Sequence, residues 1–167
     1  MADKYPAKFD STKLTVEDKA ILADFAARRK SFDDFIRYNS LQLFTCPGCG
    51  FPTLRERGAY EICAVCNWED DDQDDEQADE IRGGPNAFLS LTENRLEIGK
   101  ALKQLADNLQ GSVNDNPQEV ISILTNHDKR MNTMGDQIPE TADRSDPRWK
   151  AYDQESKNVL HDLIKRK

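Results

Sequence analysis

Cys46-Pro47-Gly48-Cys49 and Cys63-Ala64-Val65-Cys66 hold all four cysteines of the chain, in two pairs thirteen residues apart. Two CxxC turns each bring two sulfurs to one face, and four sulfurs at roughly 2.3 Å satisfy a tetrahedral zinc ion. Such a set is closed: four thiolates leave no position for water, so the ion it implies is structural rather than catalytic. The reading is one structural Zn2+ held by Cys46, Cys49, Cys63 and Cys66. Mononuclear iron uses the same donors and is not separated from zinc by spacing alone.

The elements that must position these sulfurs follow from the flanking residues. Gly50, just after the first pair, suits a tight turn. Thr53–Ile62 reads as a hairpin turning near Gly58, with Leu54, Tyr60 and Ile62 packing and Leu43-Phe44 entering as a strand. Trp68 is placed over the second pair as a shield for the sulfurs. Residues 1–14 read as a loose tail. Thr15 with Asp18 caps a helix over about 15–29, and Ser31 with Asp34 caps a second one carrying Phe32, Phe35 and Ile36. Ser90 with Glu93 starts a helix along Leu91, Ile98, Leu102, Leu105 and Leu109, stopped by Gly111. A further helix starts at Asn116-Pro117, a polar loop follows over 132–145, and a last helix starts at Asp146-Pro147. The expected fold class is α+β: a small zinc-ribbon β-hairpin module flanked by N-terminal and C-terminal helices. The expected segments are 1–42 (helical), 43–90 (metal module with an acidic loop) and 91–167 (helical).

Hydrophobic residues make up 37% of the 167 and charged residues 32%. That composition predicts a modest core that leans on its metal, since structural zinc contributes roughly 10–16 kcal/mol to the folding of small peptides. The net charge of -8 is concentrated in Glu69–Glu80, where nine of twelve residues are carboxylates and none is basic. No apolar run is long enough to cross a membrane, and Met1–Pro6 lacks the apolar core of a signal peptide, so reduced thiols in the cytoplasm are expected.

The stretch Phe44–Arg95 resembles a bacterial cysteine-rich family named after its CPCC motif. The resemblance rests on Cys46-Pro47-x-Cys49-Gly50, Thr53-Leu54-x-Glu56-Arg57-Gly58-x-Tyr60-Glu61-Ile62-Cys63, Cys66, Trp68-Glu69-Asp70-Asp71, and Gly83-Gly84-Pro85-Asn86 ahead of Ser90-Leu91. The chain departs from that pattern at Gly48, where the third residue of the family's motif is cysteine, so a fifth thiol is not needed for coordination here. The resemblance implies a metal-bound fold, and through members in toxin–immunity neighbourhoods it suggests a protein partner.

Three functions are weighed. The first is a non-catalytic, zinc-stabilised interaction protein, in its extreme form an immunity protein or inhibitor. It would mask a basic toxin through Glu69, Asp70, Asp71, Asp72, Asp74, Asp75 and Glu76, since a local acidic field favours encounter with a basic protein. The second is a nucleic-acid-associated ribbon, disfavoured because only Arg55 and Arg57 offer cations beside an acidic run. The third is an enzyme using the Glu69 and Asp70 carboxylates, with no nucleophile or paired histidine nearby. The acidic run is no EF-hand, because the glycine and the twelfth-position glutamate are missing. His127 and His161 lack metal-ligand spacing and read as packing or surface residues. Gly83-Gly84-Pro85-Asn86 is a turn rather than a phosphate loop. Arg55 and Arg57 are expected to balance the acidic run and a site that carries about -2 with four thiolates on Zn2+.

Overall fold

The computed structural model describes residues 8–167, which fall into two compact units, one running to Lys103 and one from Gln104 to Lys167. The described residues are α-rich with one small antiparallel sheet, in keeping with the α+β expectation.

The first helix, α1, is a single element, Val16–Tyr38, rather than two. Thr15 and Asp18 form the expected capping box. Ser31 is not a cap; the helix runs through it because Ile21, Phe25, Phe32 and Ile36 continue one buried stripe at spacings of four, seven and four. The expected tail is also partly ordered. Phe9 donates its amide to Asp79 at 2.7 Å, Lys8 bridges Glu80, and Ser11–Lys13 form a 3-10 turn capped by Asp10. The rest of that stretch, residues 1–7, lies outside the described residues.

The cysteine region contains no extended hairpin. Isolated bridges close it instead, Phe44 to Leu54 and Ile62 to Glu69. The expected Thr53–Ile62 hairpin fails because its second half pairs forward, across the second cysteine turn, rather than back. Leu54 packs as expected, whereas Tyr60 and Ile62 face solvent.

The second helix, α2 (Leu91–Asn108), begins with the expected Ser90–Glu93 box, each residue bonding the other's backbone amide at 3.0 Å. In the first unit Gly99 lets α2 approach α1 closely, for a Cβ there would run into the side chain of Ile21.

The second unit holds the end of α2, then β1 (Gly111–Val113), α3 (Pro117–Asp136), α4 (Pro147–Asp162) and β2 (Ile164–Arg166). Strand β1 pairs antiparallel with β2. This sheet was not expected. Gly111 permits the pairing, since a Cβ at that position would meet the Lys165 carbonyl at 2.5 Å. Helix α3 also reaches further than expected, through the first part of the anticipated 132–145 loop. Helices α3 and α4 pack together around Val120, Leu124, His127 and Val159.

A buried four-thiol centre and its clamp

The two cysteine turns are built alike. In the first, Gly50 donates to the Cys46 carbonyl at 2.8 Å and Cys46 donates to Phe51 at 2.8 Å. In the second, Asn67 donates to Cys63 and Cys63 donates to Trp68, both at 2.9 Å. Gly50 and Asn67 occupy the same left-handed conformation (φ 80° and 63°), which glycine and asparagine tolerate best. Phe51 and Trp68 follow them and are both buried. Cys-x-x-Cys-(Gly/Asn)-(Phe/Trp) is therefore a repeated unit, and its echo was present in the sequence.

The four sulfurs lie within 4.8 Å of one another. Two pairs cross between turns: Cys46 to Cys66 at 3.7 Å and Cys49 to Cys63 at 3.6 Å. A tetrahedron with metal–sulfur bonds of 2.3 Å has edges of about 3.8 Å, so the donor set fits a single ion. Cys46, Cys49 and Cys63 have no exposed surface; only Cys66 is partly accessible. Burial pushes the Cys46 and Cys49 thiols up. Burial opposes ionisation of Cys63 too, but hydrogen bonds from the other three cysteines and from Thr53 outweigh it and hold Cys63 well below the usual thiol range. A bound dication draws cysteine ligands into the thiolate form. The Gly48 amide and the Thr53 hydroxyl approach Cys46 and Cys63 sulfurs at 3.3 and 3.0 Å.

Side chains from both helices grip the first turn. Arg95 donates to the Pro47 carbonyl at 2.8 Å, Asn94 to Gly48 at 3.0 Å, and Arg28 to Cys49 through Nε and Nη2 at 2.9 and 2.7 Å. Three consecutive carbonyls are each satisfied by a helix residue. Arg28 also lies over the Phe51 ring and Arg95 over the Phe25 ring. Gly50 is pressed against α1, with an added Cβ only 3.3 Å from the Phe25 carbonyl. These clamps were missed because Arg28, Asn94 and Arg95 sit in helices read only for their apolar stripes.

Residues 44–114 match the family model Cysteine-rich CPCC. The matched stretch extends past Arg95 to include all of α2 and β1. No curated protein and no solved structure matches the chain.

The acidic run leaves the four-cysteine centre through Trp68, and three arginines from outside it pair with some of its carboxylates. Arg57 reaches Asp70 and Asp74, both at 2.8 Å. Arg29 holds Asp74 with two bonds of 2.6 and 2.9 Å, and Arg95 holds Asp75 at 2.7 Å. Partial burial raises the Asp74 carboxyl, but the guanidinium groups of Arg29 and Arg57 dominate and keep it well below the usual carboxylate range. Asp70 has no exposed surface and also accepts from the amides of Gly58 at 2.7 Å and Asp72 at 3.2 Å. It is an internal anchor rather than a surface carboxylate, a correction to its place in the expected contact face. Three groups thus donate to it, the Arg57 guanidinium and the amides of Gly58 and Asp72. Arg57 balances the run as expected, whereas Arg55 turns to Glu61. Gln73 is buried and donates to the carbonyls of Gln77 and Glu80, both at 3.2 Å. Asp72, Asp75 and Glu76 remain exposed, and Glu69, Asp71 and Asp74 are partly so.

His127 is buried in the second unit, while His161 is exposed. Among the described residues no helix is long and apolar enough to cross a membrane.

Proposed function

We propose that the protein is a non-catalytic interaction protein whose first unit is stabilised by one structural Zn2+ on Cys46, Cys49, Cys63 and Cys66. The observation that carries this reading is the closure of the centre: four sulfurs at tetrahedral spacing, three of them fully buried. Such a centre offers structure rather than an open coordination position. The cationic groups near it, Arg29, Arg57 and Arg95, are engaged with carboxylates, which disfavours phosphate binding. The carboxylates that stay accessible, Asp71, Asp72 and Glu76 among them, give a local negative field suited to a basic protein. In its most specific form the partner is a basic toxin and this chain its cytoplasmic immunity protein.

The test is co-purification of the full chain from its native host under conditions that retain zinc, with metal analysis and identification of stoichiometric partners. One zinc per chain together with a basic protein in equal amount is expected. One zinc with no stoichiometric partner would overturn the interaction reading, and a metal-free folded protein would overturn the structural one.

A further inference from the structure

Two arginines clamp the first cysteine turn, and their charges are treated differently. Arg95 also pairs with Asp75, at 2.7 Å. Arg28 forms no ion pair with a carboxylate among the described residues. Its Nε and Nη2 both donate to one neutral acceptor, the Cys49 carbonyl, and its guanidinium carbon lies 4.8 Å from the centre of the Phe51 ring. The side chain is partly buried, and a charge withdrawn from water without an opposite charge is costly. Holding a carbonyl does not itself require that charge: Asn94 holds the neighbouring Gly48 carbonyl with a neutral amide.

The opposite charge available to Arg28 is that of the centre. Four thiolates on a dication carry about -2. Arg55 and Arg57, expected to balance that charge, are engaged by Glu61, Asp70 and Asp74. Burial lowers the pKa of Arg28, and the charges of Cys49, then Asp24, then Cys66 oppose that lowering. Cys49 and Cys66 belong to different turns, so one guanidinium acts on a ligand from each.

We infer that Arg28 is the counter-cation of the metal-loaded centre, a positioning residue whose charge, held against the first turn by α1, offsets part of the four-thiolate charge and tightens the hold on the ion. This rests on the structural-metal reading above. It assigns part of the centre to a residue outside the 44–114 family match.

Charge and hydrogen bonding separate in Arg28→citrulline, which keeps the shape of the side chain, its Nε donor and one terminal nitrogen but is neutral. The full chain carrying it is assembled by joining a synthetic segment 1–45 to an expressed one that begins at Cys46; a chain with arginine, assembled the same way, is the control. Zinc affinity is read by competition with a chelator, and the cobalt-loaded protein by its sulfur-to-metal absorption band. Citrulline should weaken zinc binding about 10–100-fold. It should also move the cobalt band to longer wavelength, because the sulfur electrons lose a stabilising positive charge. Arg28→Lys, which keeps the charge without the fork, should bind zinc more tightly than the citrulline chain.

Zinc binding by the citrulline chain as tight as by the control would overturn the proposal. So would an unmoved band, or a lysine variant no tighter than citrulline. If the citrulline chain does not fold even in excess zinc while Arg28→Lys does, charge is the difference and the proposal stands; if neither folds, the site needs the fork itself and the proposal falls. The structural-metal reading fails separately, on a control chain that folds without taking up zinc.

Discussion

The Asn94 side-chain amide donates to the Gly48 carbonyl at 3.0 Å, and the same nitrogen would lie 2.6 Å from a Cβ at position 48. Glycine and asparagine are therefore one unit, and the space that a third motif cysteine would need is occupied. Gly48→Cys should cost about 1–3 kcal/mol through overpacking. Asn94→Ala should cost about 1–3 kcal/mol by leaving a buried carbonyl unpaired. The double variant should cost clearly less than the two together, as urea unfolding of the zinc-loaded protein will show. Strict additivity would mean that the two residues do not share this space.

Cys63→Ser should abolish stoichiometric zinc binding and unfold the first unit, because zinc binding and folding are coupled and three sulfurs cannot close the site. Metal analysis combined with hydrogen exchange resolved along the chain will check this. Loss of protection in α1 and in residues 44–80 is expected; a variant that keeps its zinc and its protection would contradict the account.

Asp74→Asn should destabilise the first unit by about 1–3 kcal/mol, less than the 3–5 kcal/mol seen for fully buried pairs because Asp74 keeps about a third of its side chain exposed. Its carboxyl is depressed in the folded state, so the contribution is complete above the ordinary aspartate value near 3.9 and fades only as pH falls below it. The cost of the substitution should thus be equal at pH 7 and pH 5. A cost that grows or shrinks across that interval in metal-loaded protein would assign the effect to another group.

His127 gives the second unit an acid sensitivity of its own. Burial lowers its pKa, and its Nδ1 has no hydrogen-bond partner. Asp128 and Arg130 on α3 and Glu155 and Asp162 on α4 surround it, with burial the largest influence. A depressed histidine takes up its proton more readily when unfolded, so its stabilisation is whole above about pH 6.5 and declines as pH falls through that value. Amide exchange in α3 should accelerate between pH 7 and 5.5 after correction for the intrinsic rate, and His127→Phe should remove that acceleration. An unchanged pH response in the variant would clear the histidine.

The four-cysteine cluster and most helix starts were legible because each is a local signal. Thr15–Asp18, Ser90–Glu93, Asn116-Pro117 and Asp146-Pro147 announce helix starts within four residues, and CxxC announces a turn. What was hidden depends on distant partners. Ser31 satisfies a capping pattern, yet the stripe from Ile21 to Ile36 overrides it. The pairing of Gly111–Val113 with Ile164–Arg166 joins segments some fifty residues apart, each too short to show a period. No cation stands inside the acidic run; Arg57 was expected to balance it, but Arg29 and Arg95 reach it from helices far along the chain. Burial of Asp70 follows from that arrangement and has no signature in its neighbours.

The reach of Arg28 and Arg29 bears on how much chain is needed for a self-sufficient piece. A fragment trimmed to the CPCC match at 44–114 would keep every sulfur but lack α1 entirely. The Cys49 carbonyl would lose its guanidinium, Asp74 one of its two, and Phe51 the Phe32 ring that lies 5.8 Å away. The family match thus marks out a cysteine-bearing segment shorter than the stretch that must cooperate to hold the four sulfurs, and α1 behaves as an integral wall of that centre.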